Sequence, residues 1–90
     1  MADEKQFRCR LLTGQEIVLE TEAASVVFPA ADGQIGVLTR RAPLMAALGR
    51  GVIEIRSPQQ QHRYALAGGV AHMADNVLTL IAERCVSLGQ

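Results

Sequence analysis

The sequence predicts an all-β fold: one small domain over residues 1–90, built as a β-sandwich or flattened barrel of about ten short strands. Two patterns predict this fold. Apolar and polar residues alternate in short runs along the chain, as they do in half-buried strands. Turn-forming residues interrupt these runs every ~6–12 residues, which is typical of sandwiches and barrels. The length agrees, because 90 residues leave no room for a second domain of the usual ~100–150 residues.

Four strands are predicted in the first half of the chain. Alternating or β-branched runs occupy residues 7–11, 16–20, 24–28 and 34–38. Thr13-Gly14 breaks the first run, and Pro29 ends the third. Ala31-Asp32-Gly33 is a predicted turn, because Asp-Gly tolerates the backbone angles that tight turns require. Gly36 lies inside the fourth run and indicates a bulge or a close backbone approach.

The second half of the chain repeats this pattern. Further strands are predicted over residues 52–56, 62–67, 70–73 and 77–83. Residues 57–61 close a hairpin, Gly68-Gly69 permits a sharp bend, and Asp75-Asn76 forms a turn. Residues 43–48 have helical propensity, but this segment is shorter than a helix can usually sustain. We expect it to be strand-like or a single turn.

Composition and charge exclude several classes of protein. Hydrophobic residues make up 49% and charged residues 20%, as in ordinary globular domains. No apolar run reaches the ~18–20 residues that a membrane span needs. Residues 1–5 are polar and unlike a signal peptide, so a cytoplasmic location is expected. The formal net charge of zero argues against nucleic-acid binding. Residues 33–72, with five arginines and one acid, are nevertheless basic enough for a polar partner.

The residues that could carry chemistry are too scattered to predict an enzyme. His62 and His72 lie in no spacing typical of metal ligands, and Gly33 and Gly36 do not form a phosphate-binding loop. His62 is expected to be exposed beside the loop of residues 57–61. We therefore predict no catalytic residue, no metal and no cofactor. Cys9 and Cys85 are interpreted as reduced, buried apolar residues, because disulfides are rare in the cytoplasm.

The most informative local segment is Arg40-Arg41-Ala42-Pro43-Leu44. Pro43 stiffens the loop and favours an extended conformation at Ala42. Two adjacent arginines then project from a rigid loop. This segment is either a solvated turn that ends a strand or a binding loop, and the residues alone leave both open.

An ordered set of segments resembles one family, the epsilon subunit of bacterial F-type ATP synthase, called delta in mitochondria. The match is to its N-terminal β-sandwich domain and covers residues 6–86. The matching segments are Leu12-Thr13-Gly14, Glu22-Ala23-Ala24-Ser25-Val26-Val27-Phe28-Pro29, Gly33-Gln34-Ile35-Gly36 with Arg41-Ala42-Pro43-Leu44, Gly51-Val52-Ile53-Glu54-Ile55, Tyr64-Ala65-Leu66-Ala67-Gly68-Gly69 and Asn76-Val77-Leu78-Thr79-Leu80.

The resemblance implies a non-catalytic subunit of the central stalk. Such a subunit sits beside the gamma subunit on the ring of c subunits, rotates with them, and helps couple ion flow to ATP chemistry. It would lie peripherally on the cytoplasmic face of the inner (plasma) membrane. The resemblance implies c-ring contacts at Gln34, Arg40, Arg41 and Ala42. It implies gamma contacts at Leu44, Met45, Gly68, Gly69 and Val70.

The sequence departs from the family pattern in charge and in length. Gln34 stands where an acidic residue is usual, and Arg41 stands where the family has histidine. We therefore expect the c-subunit loop to offer carboxylates or other acceptors to the arginines. The family's C-terminal helical domain, which inhibits ATP hydrolysis, has no counterpart in the given sequence, which is either a short form or part of a longer chain. Two alternatives stay open: a free-standing β-sandwich interaction or regulatory module, and a small binder of single-stranded nucleic acid.

Overall fold

A computed structural model describes residues 6–89, which form eight β-strands joined in one hydrogen-bonded sheet. The strands are β1 (Phe7–Leu12), β2 (Ile17–Ala23), β3 (Ser25–Ala30), β4 (Gly33–Leu38), β5 (Leu44–Ala47), β6 (Arg50–Arg56), β7 (Gln61–Ala74) and β8 (Val77–Ser87). Their order across the sheet is β2-β1-β8-β7-β6-β3-β4, and β5 pairs with β7 beside this path. No helix in the described residues is long and apolar enough to span a membrane. The all-β prediction is confirmed.

The long strand β7 folds the sheet into two layers. Its first half, residues 61–67, pairs with β6, and residues 70–73 pair with β5. Strand β8 runs antiparallel along both halves and pairs with β1 through residues 77–81. The change of partner falls at Gly68 and Gly69, whose φ angles are 77° and 127°. Glycine adopts such angles readily, so these residues bend the sheet into a layer β2-β1-β8-β7-β5 and a layer β8-β7-β6-β3-β4.

A single hydrophobic core lies between the two layers. Alternate residues of each strand point into it, and β1 contributes Phe7, Cys9 and Leu11, all almost completely buried. The other core residues are Ala23, Val26, Phe28, Val37, Leu48, Ile53, Ile55, Leu66, Ala71, Met73, Leu78, Leu80 and Ala82. Each large buried side chain stabilises the fold by roughly 1.5–3 kcal/mol. The described residues include no buried polar or charged side chain, so dry packing holds the layers together.

The two cysteines are free thiols. Burial raises the pKa of Cys9 to about 12, so this thiol stays protonated and packs as a small apolar group. Cys85 is half-buried, and burial raises the pKa of this thiol as well. The interpretation as a buried apolar residue is confirmed for Cys9, whereas Cys85 is only half-buried.

The predicted strand count is too high because β7 is continuous. Residues 62–67 and 70–73, predicted as two strands, are the two halves of β7, which Gly68-Gly69 bends without interrupting. The described residues therefore form eight strands where about ten were expected. The segment of residues 43–48, which has helical propensity, contains strand β5, so its strand-like interpretation is confirmed. The turn at Asp75-Asn76 is also confirmed, because both residues have positive φ and join β7 to β8.

Three smaller predictions are wrong. Strand β3 runs through Pro29 to Ala30. The Pro29 carbonyl accepts a hydrogen bond from the Gly49 N–H at 2.9 Å, so the backbone polar groups of Pro29 point away from β4. Proline has no N–H to donate, but at this position the pairing with β4 does not need one. Gly36 forms no bulge, because β3 and β4 pair in unbroken register around it. His62 is half-buried rather than exposed, because it lies in β7 opposite Ile55.

Candidate functional site

The described residues offer surfaces rather than a chemical centre. Within residues 6–89, no group of three or more His, Cys, Asp or Glu side chains is placed to hold a metal ion. Their buried interior is apolar. Two surfaces stand out on the outer sides of the two layers.

The first surface is the exposed edge of the sheet along β4. Strand β4 ends the strand order and pairs with β3. Gln34, Gly36 and Leu38 are exposed, whereas the residues between them point toward the core. Arg40, Arg41 and Ala42 follow the strand and are exposed as well. We call Gln34, Leu38, Arg40, Arg41 and Ala42 the β4 edge.

The predicted c-ring-facing residues share this edge without forming one cluster. Gln34 and Leu38 are four positions apart in β4, which at ~3.3 Å per residue is about 13 Å, and Arg40 follows in the turn beyond Leu38. Leu38 has 63% of its surface exposed. Sequence reasoning missed Leu38, although its position beside the buried Val37 in an alternating strand was a signal that it faces outward.

The arginine pair is carried by a tight turn. The Arg41 N–H donates to the Leu38 carbonyl at 3.2 Å, and Arg40 has a φ angle of 62°. Neither arginine forms an ion pair with a carboxylate within the described part of the chain. Guanidinium groups stay charged at any physiological pH and donate in a planar fork. The turn therefore presents two permanent positive charges to an external acceptor.

The second surface is an apolar row across the outer side of the layer β2-β1-β8-β7-β5. Strand pairing places five residues side by side, in the order Ala47, Val70, Ile81, Leu12 and Ile17. Neighbouring strands lie ~4.8 Å apart, so the row is about 19 Å long. Val70, Ile81 and Ile17 are exposed large hydrophobic residues. We call this row, together with Met45, the apolar face.

Met45 begins a second, mixed row on the same outer side. It pairs with His72, His72 with Thr79, Thr79 with Arg10, and Arg10 with Glu20. Met45 is 70% exposed, the largest value among the large hydrophobic residues of the described chain. At the far end of the row, Glu20 Oε2 lies 3.0 Å from Arg10 Nε. The apolar face thus has a charged border on the β1–β2 side.

A groove opens where the apolar face meets the bend of β7. Its volume is about 770 Å³. It is lined by Val70, Ile81 and Glu83, together with Thr13 and Gly14 of the β1–β2 turn. The groove is therefore continuous with the apolar row rather than a separate site.

The structure separates the predicted gamma-facing residues into two groups. Met45 and Val70 are exposed on the apolar face, whereas Leu44 is half-buried against the core. Gly68 and Gly69 act through the backbone: a Cβ on Gly69 would lie 2.9 Å from the Ala82 Cα. Their role is to bend β7 so that Val70 reaches the outer side.

Sequence reasoning missed most of the apolar row. Ile81 follows the buried Leu80 and precedes the buried Ala82, so alternation placed it on the outer side. Leu12 and Ile17 flank the β1–β2 turn. Their proximity to Ile81 depends on strand pairing, which sequence periodicity does not reveal.

Comparison with known proteins identifies the family. Residues 6–88 match the family described as ATP synthase, Delta/Epsilon chain, beta-sandwich domain. The chain belongs to this family. The resemblance stated from the sequence is confirmed, and the two-layered sheet is the β-sandwich that the family description names.

Several relatives are named ATP synthase epsilon chain. That of Rhodopirellula baltica is 34% identical over 80 residues, which are 89% of this chain and 62% of the relative. That of Nostoc punctiforme is 36% identical over 76 residues, covering 82% of this chain and 56% of the relative. The chain thus spans a little over half the length of these relatives.

Solved structures share the fold. A chain in the Euglena gracilis mitochondrial ATP synthase assembly of OSCP, F1 and c-ring has a TM-score of 0.86 and 24% identity. The match covers 92% of this chain and 54% of that one. A chain in the central stalk and c-ring of Tetrahymena thermophila mitochondrial ATP synthase has a TM-score of 0.74 and 14% identity, covering 87% and 63%.

Proposed function

We propose that this chain is a non-catalytic central-stalk subunit of an F-type ATP synthase that joins the gamma subunit to the c-ring. The apolar face binds gamma, and the β4 edge faces the polar loops of the c-ring. The chain turns with both partners, so that ion flow is coupled to ATP synthesis or hydrolysis. It works on the cytoplasmic face of the inner (plasma) membrane without crossing it.

The observation that carries the proposal is the apolar face. An antiparallel sheet with one solvated side alternates polar residues outward, yet the outer row here is apolar from Ala47 through Ile17. Contiguous apolar surface rimmed by polar groups marks protein interfaces. The ion pairs of Arg8 and Arg10 with Glu20, at 3.6 and 3.0 Å, form such a rim. Family membership supports gamma as the partner.

The β4 edge has a different chemistry and therefore a different partner. Arg40 and Arg41 supply charge, Gln34 supplies an amide, and Leu38 supplies an apolar contact between them. Guanidinium groups bind carboxylates and carbonyl oxygens through paired N–H donors. We therefore expect the c-subunit loop that faces this edge to carry carboxylates or exposed carbonyls.

Co-purification with the gamma subunit from the same source tests the proposal. The wild-type chain is compared with Met45→Glu and Ile81→Glu, which place a charge on the apolar face. A carboxylate buried without a partner is strongly unfavourable, so both variants should bind gamma at least about tenfold more weakly, a change of ~1.4 kcal/mol. Val86→Glu is the matched control, because Val86 is 62% exposed on the second half of β8, outside the apolar row.

The outcomes separate the proposal from its alternative. All variants must first show the wild-type circular dichroism spectrum. Gamma binding that survives Met45→Glu and Ile81→Glu but not Val86→Glu would move the interface to the other layer. A folded wild-type chain that binds neither gamma nor the c-ring would favour the free-standing interaction module. The β4 edge would then be the surface on which to search for its partner.

A further inference from the structure

The turn that carries the arginine pair is attached to a distant part of the chain by one side chain. Asn76, in the β7–β8 turn, accepts a hydrogen bond from the Arg40 N–H through Oδ1 at 2.7 Å. Its Nδ2 donates to the Gln6 carbonyl at 3.1 Å. Its own carbonyl accepts from the Arg8 N–H at 3.1 Å. Asn76 thus ties the end of β4 to the start of β1.

The chemistry of this junction requires an amide. Arg40 presents a donor and Gln6 presents an acceptor, so the bridging side chain must accept on one side and donate on the other. Asparagine offers both on one rigid group. Thr39 reinforces the junction, because its hydroxyl donates to the same Gln6 carbonyl at 3.0 Å.

Arg40 occupies a conformation that arginine does not favour. Its φ of 62° lies in the left-handed region, which is unfavourable for a residue other than glycine. Glycine would relieve this strain but would remove the side chain. A charged side chain held in an unfavourable conformation by a specific hydrogen bond indicates that its placement matters.

We propose that Asn76 is a positioning residue for the β4 edge. Its amide holds Arg40 in the left-handed turn, so that Arg40 and Arg41 project together toward the c-ring. This proposal rests on the proposed function for its partner, but the holding of the turn is tested without that partner. Asn76 acts through the backbone of Arg40.

Three variants of the full chain test this role. Asn76→Gly removes the side chain but tolerates the φ of 63° at this position. Asn76→Asp keeps the acceptor for Arg40 and replaces the donor to Gln6 by a repulsive oxygen. Asp75→Gly is the matched control, because Asp75 shares the same turn with a φ of 54° and takes no part in the described hydrogen bonds to Arg40 and Gln6.

The rate of amide hydrogen exchange at Arg40, measured by NMR, reports directly on the turn. We expect the Arg40 amide to exchange about fivefold faster in Asn76→Gly, because the hydrogen bond that protects this amide is lost. Exchange at Arg40 should remain near the wild-type rate in Asp75→Gly and should be intermediate in Asn76→Asp, which keeps the acceptor for Arg40 but loses the bond to Gln6. The amide of the core residue Ile53 serves as the internal check that the fold is intact. An unchanged Arg40 rate in Asn76→Gly would overturn the proposal.

Binding to the detergent-solubilised c-ring from the same source supplies the second measurement. Asn76→Gly should bind about tenfold more weakly than Asp75→Gly, and Asn76→Asp should recover only part of the loss, because it restores the bond to Arg40 but not the one to Gln6. Full binding by Asn76→Gly despite fast exchange would overturn the positioning role. If the wild-type chain does not bind the c-ring, that part of the proposed function fails, and the exchange rates alone decide whether Asn76 holds the turn.

Discussion

Replacing Gly69 by alanine tests whether one residue sets the bend on which both layers depend. The φ of Gly69 is 127°, and holding a non-glycine residue in such a region costs about 1–3 kcal/mol. The added Cβ would also contact the Ile81 carbonyl and lie 2.9 Å from the Ala82 Cα. Both atoms belong to the backbone of β8, so relief requires shifting a paired strand, at roughly 1–3 kcal/mol for overpacking.

Together these two effects predict a loss of about 2–6 kcal/mol for Gly69→Ala. A chain of 90 residues has a total stability of roughly 5–14 kcal/mol at ~0.05–0.15 kcal/mol per residue. The variant is therefore expected to be only marginally folded at 25 °C. Val70 directly follows the bend, and β5 pairs with the part of β7 beyond the bend. Both would be displaced if the bend were lost.

Two other glycines provide graded controls for this prediction. A Cβ on Gly68 would meet the carboxyl group of Glu83, the end of a flexible side chain that can turn away. Gly68→Ala should therefore cost mainly the backbone strain, about 1–2 kcal/mol. Gly36 has open space around its Cβ position and no positive φ. Gly36→Ala should stabilise the chain slightly, by about 0.4–1 kcal/mol.

Urea unfolding followed by far-ultraviolet circular dichroism measures all three variants under one condition. The expected order of stability is Gly36→Ala, wild type, Gly68→Ala and Gly69→Ala. If Gly69→Ala were as stable as Gly36→Ala, the bend would have to be held by side-chain packing instead of by the backbone of Gly69, and the reasoning would be refuted.

Two further predictions concern titration and ion pairing. The pKa of Cys9 is raised to about 12 against 9.0 for a free thiol, because the folded state favours the neutral thiol. The free energy of unfolding is therefore highest below pH 9. It falls as the pH rises toward 12, by at most ~1.4 kcal/mol per pH unit. Urea titrations from about pH 8 to pH 10.5 should show this slope in wild type and a smaller slope in Cys9→Ala; equal slopes would contradict it. Glu20→Gln removes the ion pairs to Arg8 and Arg10. It should lower stability by no more than ~1 kcal/mol, and a loss that persists in about 1 M salt would contradict a surface role.

Alternation and turn chemistry were enough to predict most of the strands. Strand β8 was recognisable because Leu78, Leu80 and Ala82 recur at the period of a strand, and all three are buried. The continuity of β7 was not predictable in this way. Gly68-Gly69 has the composition of a turn, and only the pairing of β8 along both halves shows that the strand bends and continues.

The candidate surfaces were less predictable than the strands. The arginine pair was visible as a local motif, whereas the apolar row joins residues as distant in sequence as Leu12 and Ile81. Asn76 likewise contacts Arg40 across 36 positions of the chain. A period-2 pattern identifies the outward side of each strand but carries no information about register. Which outward residues become neighbours therefore had to come from the structure.

The two proposed surfaces are joined by a short and stiff segment. Arg41 and Met45 are four residues apart, which limits their Cα separation to about 14 Å. Pro43 fixes one φ angle within this segment. At one end the Asn76 amide holds the turn, and at the other end Met45 pairs with His72 in β7. If the proposed function holds, a tangential load from the c-ring on the arginines would reach the proposed gamma-binding face through β5 without crossing a flexible linker. The proposed transmission of torque between two partners requires that property, and the adjacency of the two surfaces along the chain supplies it.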